Sequence, residues 1–182
     1  MICRTSLRRL KLNRDFFSLL LLTGARRGNV LGMRRKDVNL AQGLWTIPSA
    51  DHKNQHVHTI PLSQPAMEIL CRRMNATSES EFVFPGNGQT GHLVEPKSAW
   101  KRITRRANMP GLRLHDLRHT LASWQVSRGV SLAITGKALG HTNTSTTARY
   151  AHLATDPVRD ANEQAASDML KAAKAPAEEQ TS

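Results

Sequence analysis

The sequence predicts an α+β domain, mainly α, in which short helices surround one small antiparallel β-sheet. Three observations carry this. Segments that read as helices end on glycine, as at Gly24 and Gly140. Two β-prone runs, GLWTIP and HVHTIPL, flank the polar stretch SADHKNQ, the pattern of a hairpin with a mobile tip. There is no internal repeat, and 182 residues with 39% apolar content suit one cored domain with a tail.

The elements follow in order. Asp15 to Thr23 reads as a mostly apolar, buried helix that Gly24 stops. A second helix follows TGARRG, with Val30, Leu31 and Met33 inward. After the two β-prone runs, SQPAMEILCRRM starts a helix, with Ser63 or Gln64 before Pro65 in the first turn. FPGNGQTGH is loop. Lys97 to Asn108 is a basic helix carrying Lys97, Lys101, Arg102, Arg105 and Arg106. LHDLRHTLASWQVSRG is helical up to Gly129, and SLAITGKALG is a short helix with Ser131 as N-cap and Gly140 as stop. A last core helix carries Tyr150. Pro157 to Lys174 is an Ala-rich helix, and APAEEQTS is expected to be disordered.

Charge points to the partner. The chain carries +12, and the segment from Ala154 onward holds three basic against six acidic side chains, leaving +15 on the first 153 residues. A globular body this basic attracts polyanions, of which nucleic acid is the usual one. Cys3 and Cys71 form no CxxC pair, which argues against a disulfide scaffold or zinc ribbon and for a reducing cytoplasm. The basic N-terminus followed by FFSLLLL imitates a signal peptide. Yet Asp15 abuts the run, and its seven residues fall far short of the roughly 20 that span a bilayer.

Several residues can carry chemistry. His115 and Arg118 are three apart and share a helix face, while His119 follows His115 by four, the spacing of a zinc helix. A metal is rejected, because the HExxH glutamate is missing and an arginine on that face repels a cation. Imidazole and guanidinium together suit a phosphate. His119 itself reads as a core or capping histidine. His141 and Tyr150, the sole tyrosine, are nine residues apart, so one continuous helix would put them on opposite sides. The intervening TNTST is rich in N-cap residues and can break the helix, letting both point inward. A phenol with a pKa near 10 needs surrounding cations to become a nucleophile. Arg26 and Arg27 follow a Gly turn where a helix begins, a position that favours anions. Lys53 sits at the hairpin tip, where a flexible side chain can reach a ligand.

In order along the chain, TGARRGNVL, HKN on a hairpin, LHDLRHT and LGHTNTSTTARYAHL resemble the motifs of the tyrosine recombinase (phage integrase) family, over roughly Phe16 to Leu153. The resemblance implies the helical catalytic domain of that family with its small antiparallel sheet, residues 1–155, followed by a C-terminal helix and tail, 156–182. It implies that Arg26 and Arg118 clamp a scissile phosphate. His115 and His141 would hydrogen-bond it, with His115 a candidate general base. Tyr150 would attack phosphorus to give a 3′-phosphotyrosyl link, and Lys53 would protonate the leaving 5′-oxygen. No cofactor is implied, since the covalent link keeps the phosphoester energy and religation needs neither metal nor ATP. The implied partners are double-stranded DNA and, through the C-terminal tail, a homotetramer on DNA, with no membrane. Three departures stand out: Asn29 where an acid is common, Arg35 where tryptophan is common, and Thr135 in a usually aliphatic slot. There is also no room before Phe16 for the family's DNA-clamping helical domain. The expected function is therefore a site-specific recombinase or integrase of a phage or mobile element. The alternatives are a truncated, non-catalytic DNA-binding remnant, or nicking and relaxation of the type IB topoisomerase kind.

Overall fold

A computed structural model describes residues 4–49, 57–76, 79–141, 143 and 145–174. Helix α1 (Arg4–Thr23) starts well before the expected Asp15, because Leu12 adds to its inward face while Arg8, Arg9 and Lys11 stay exposed. Phe16, Leu19 and Leu20 are buried, and Phe16 meets Phe84 edge-on at 5.7 Å. Asp15 is itself buried, which a carboxylate tolerates when paired. Arg14, Arg72 and Arg73 approach it at 3.3, 3.6 and 4.0 Å. Gly24 ends α1 at φ 59°, a left-handed conformation that favours glycine. Among the described residues no helix is long and apolar enough to cross a membrane.

Helix α2 (Arg27–Leu31) and a 3-10 turn (Arg35–Asp37) lead into strands β1 (Val38–Asn39), β2 (Leu44–Ile47) and β3 (His58–Pro61). They form one antiparallel sheet in the order β1-β2-β3, with Trp45 facing Val38 on one side and Ile60 on the other. The two-residue β1 is too short to show alternation in the sequence. Helix α3 (Gln64–Ala76) packs on α1. Arg35, one of the three departures, donates to the carbonyls of Met74 at 2.9 Å and Arg73 at 3.4 Å. A guanidinium there satisfies last-turn carbonyls and suits the negative end of the helix dipole.

Helix α4 (Lys97–Arg106) buries Ala99 and Thr104 and exposes Lys97, Lys101, Arg102, Arg105 and Arg106. Then come α5 (Asp116–Ser127), α6 (Leu132–Leu139) and α7 (Ser145–Ala148). A 3-10 turn (Ala151–Ala154) and α8 (Thr155–Lys174) follow. The expected N-cap of α6 is present, with the Ser131 hydroxyl accepting from the Ile134 amide at 3.3 Å. The expected core helix around Tyr150 is instead interrupted: Tyr150 lies in the turn between α7 and the 3-10 segment.

Two apolar clusters result. The larger joins α1, α2, the sheet and α3. The smaller gathers Ala122, Val126, Leu139 and Tyr150. On α8, Val158, Met169 and Leu170 stand exposed at 56, 72 and 62%. APAEEQTS, expected to be disordered, lies outside the described residues.

Candidate active site

The site lies where the two clusters meet, and the backbone explains how each side chain arrives. The left-handed turn at Gly24 redirects the chain so that Arg26, in extended conformation, caps α2 half-buried. Arg27, one step round, is exposed and pairs with Glu95 at 2.9 Å. At the start of α5, Asp116 accepts from the Arg113 amide at 2.8 Å and pairs with its guanidinium at 2.9 Å, fixing the entry of the helix. His115 is the N-cap of that helix and is exposed. Arg118 is 6% exposed, and its two terminal nitrogens donate to the carbonyls of Gly24 and Leu139, the latter at 2.6 Å. One side chain thus ties the end of α1 to the end of α6.

Gly140 ends α6 at φ 68° and turns His141 back, so that its amide bonds the Gly136 carbonyl at 2.9 Å. His141 Nδ1 is 2.9 Å from the hydroxyl of buried Thr147, which leaves Nε2 for a ligand. Gly136 gives Thr147 its room: a Cβ there would stand 2.8 Å from Thr147 Oγ1. Helix α6 ends at Leu139 and a separate α7 starts at Ser145, and Tyr150 turns inward, 5% exposed, against His119.

Arg26, His115, Arg118, His119, His141 and Tyr150 line a cleft of about 240 Å³, together with Asn143, Thr146 and Arg149. Five of the six expected site residues are therefore brought together. The sixth, Lys53, falls in the stretch 50–56 outside the described residues.

His119, expected to be a core or capping histidine, lines the cleft, with its Nδ1 in hydrogen-bond contact with the Tyr150 hydroxyl. Its ring also meets that of His115 edge-on at 4.9 Å. The spacing of four residues was the available signal, but in the sequence it speaks as readily for a metal. Thr147 and Arg149 gave no sequence signal of their own as members of the site.

The cleft is lined by three arginines and no carboxylate. Burial, reinforced by Arg26, lowers Arg118 to about 10, so it remains charged near neutrality. His141 is pushed down to about 4 by burial and then by Arg118, Arg26 and Arg149, so it donates as a neutral ring. His119 is lowered as well, first by burial and then by Arg149, and so is His115, first by the covered part of its otherwise exposed ring and then by His119. Burial raises the Tyr150 phenol and outweighs the opposing Arg149 and Arg118. The resting cleft therefore holds a protonated phenol among fixed cations and neutral imidazoles, an arrangement suited to a phosphodiester anion. Among the described residues no group of three or more His, Cys, Asp or Glu is placed to hold a metal ion.

A mainly helical domain thus turns one phenol into a cationic, imidazole-lined cleft, a potential nucleophile beside groups that suit a phosphate. The chain belongs to the phage integrase family, whose sequence profile matches residues 5–156. It is similar to the integrase of Salmonella phage P22, 28% identical over 74% of this chain and 37% of the relative. It is also similar to tyrosine recombinase XerA of Pyrococcus furiosus, 28% identical over 84% of this chain and 54% of the relative. The fold matches the Tn1549 transposon integrase solved with a circular intermediate DNA, with a TM-score of 0.69 at 19% identity, over 82% of this chain and 57% of that one. The chain thus spans about half or less of the length of the curated relatives it matches.

Proposed function

We propose that this chain is the catalytic domain of a site-specific DNA recombinase or integrase that cuts and rejoins double-stranded DNA through a 3′-phosphotyrosyl intermediate. The observation that carries it is the Tyr150 phenol, the only one in the chain, turned into a cleft with Arg26, Arg118 and His141. Arg26 and Arg118 grip the non-bridging oxygens and stabilise the charge that grows in the transition state. His141 donates through Nε2, held by Thr147, and His115 donates from the start of α5. The Tyr150 oxygen attacks phosphorus, the bond to the 5′-oxygen breaks, and Lys53 supplies the proton to that leaving oxygen. The link conserves the phosphoester, so the free 5′-hydroxyl of a partner strand reverses the step without metal or ATP.

The exposed cations of α4 support DNA binding, with a log–log salt slope of about −0.9 per phosphate neutralised. The solved Tn1549 relative carries DNA. The exposed apolar side chains of α8 support docking of this helix on another copy, giving a homotetramer on DNA, in the cytoplasm. The test is a suicide substrate: a pool of nicked duplexes of randomised sequence, incubated with the chain and resolved under denaturing conditions. A covalent adduct that vanishes with Tyr150→Phe is expected. DNA binding without any adduct would identify a non-catalytic remnant instead.

A further inference from the structure

We propose that His119 is the catalytic base that takes the proton from Tyr150 and returns it on religation, while His115 serves the phosphate. This rests on the strand-transfer reading above and assigns its proton path. Among the described residues, the hydrogen-bond partner of the Tyr150 hydroxyl is His119 Nδ1. Among the described residues, the ring of His115, the base the family resemblance offered, meets His119 edge-on at 4.9 Å and shows no hydrogen bond to the phenol. A second observation is that His115 lines the Tyr150 cleft but also extends beyond it. It lines an adjoining recess of about 290 Å³ with Arg26, Arg27 and Arg118, which neither His119 nor Tyr150 reaches.

The chemistry requires such a base. Burial holds the phenol above its ordinary value, so the cations alone do not ionise it. The groups acting on His119 are Arg149, Arg113 and Arg118 against the single carboxylate of Asp116, with the His115 ring beside it. Burial first, and then Arg149, hold the imidazole below its ordinary value and so neutral in the resting cleft; in the proposed path its proton is on Nε2 and the Nδ1 lone pair faces the phenol. An anionic phosphodiester entering the cleft offsets those same cations and makes the ring easier to protonate.

In the forward step the phenol proton passes to His119 Nδ1, and the Tyr150 oxygen forms its bond to phosphorus. The phosphorus–5′-oxygen bond breaks onto the oxygen, which takes a proton from the general acid. In religation the 5′-hydroxyl attacks and returns its proton to the general acid, the tyrosyl oxygen leaves, and the His119 imidazolium gives that oxygen its proton back, as microscopic reversibility demands.

Two measurements test this on the full chain. In the first, ¹⁵N-histidine NMR without DNA, with His119 assigned through His119→Gln, should show Nδ1 unprotonated at neutral pH. Tyr150→Phe should move that resonance. A proton found on Nδ1 overturns the proposal.

In the second, single-turnover adduct formation on the randomised nicked duplexes is followed against pH. The wild-type rate should be level around neutrality. His119→Ala should lose roughly 10²–10⁴-fold, the usual range for a general base, and climb about tenfold per pH unit as hydroxide replaces the imidazole. Added imidazole should restore part of the rate. His115→Ala should slow cleavage but keep the wild-type profile. A His119→Ala variant that keeps the level profile overturns the proposal while leaving the strand-transfer reading intact. A wild-type chain that forms no tyrosyl adduct overturns that reading, a failure visible before any histidine is changed.

Discussion

Arg118→Lys separates the two tasks that one guanidinium performs. In the native chain its two terminal nitrogens donate to the carbonyls of Gly24 and Leu139, and the side chain is 6% exposed. A lysine presents its donors from one point, so it cannot reproduce a fork that spans two carbonyls and still faces the cleft. At least one buried carbonyl then loses its partner, at about 1–3 kcal/mol. For a chain of this size each kcal/mol lowers the melting temperature by about 2–4 °C, so a fall of about 2–12 °C is expected. The rate should suffer more, because losing one donor to a developing oxyanion typically costs about 10²–10³-fold. Thermal melting by circular dichroism gives the first quantity. Single-turnover cleavage, measured well below the variant's own melting temperature, gives the second. A variant that melts with the wild type would refute the role of Arg118 in tying α1 to α6. One that melts low but cleaves normally would refute its role at the phosphate.

Other perturbations follow from the same geometry. Arg26→Ala should cost at least about 10²-fold in cleavage. Arg27→Ala removes the partner of Glu95 but no part of the Tyr150 cleft lining, so cleavage should fall far less; the reverse ranking would show that the motif is out of register. Gly136→Ala puts a Cβ 2.8 Å from Thr147 Oγ1 and should displace the hydroxyl that holds His141, lowering cleavage more than stability; normal cleavage would show that His141 needs no such support. Thr135 is fully buried, and its hydroxyl has no hydrogen-bond partner among the described residues, so Thr135→Val should raise the urea midpoint, and a lower midpoint would reveal a partner for that oxygen. His141 sits at about 4 when folded against 6.5 ordinarily, so the unfolded chain binds more protons between those values. Stability present above pH 6.5 should then fall as the pH drops toward 4, and His141→Gln should remove that part of the slope. A urea midpoint that rises on acidification would contradict it.

The fold class was legible because its determinants are local. Gly24 and Gly140 stop their helices as expected of residues that adopt positive φ cheaply. Ser131 caps α6, and the β-prone runs around Trp45 and Ile60 pair. The family, too, could be read from its motifs, since the order of TGARRG, LHDLRHT and LGH…RY is a property of the chain. The start of α1 was misplaced because a basic, weakly apolar stretch carries no sharp boundary. What the sequence could not rank was the neighbours of the phenol. His115 and His119 occupy one helix face at equivalent spacing, and their difference depends on where a turn 31 residues later delivers Tyr150. The same holds for Arg118, whose two carbonyl partners come from helix ends 94 and 21 residues away, and for the Thr147 hydroxyl that meets His141. Helix caps and strand runs are written within a few residues. The path of a proton is set by contacts between distant segments, which exist only once α1, α5, α6 and α7 have packed together.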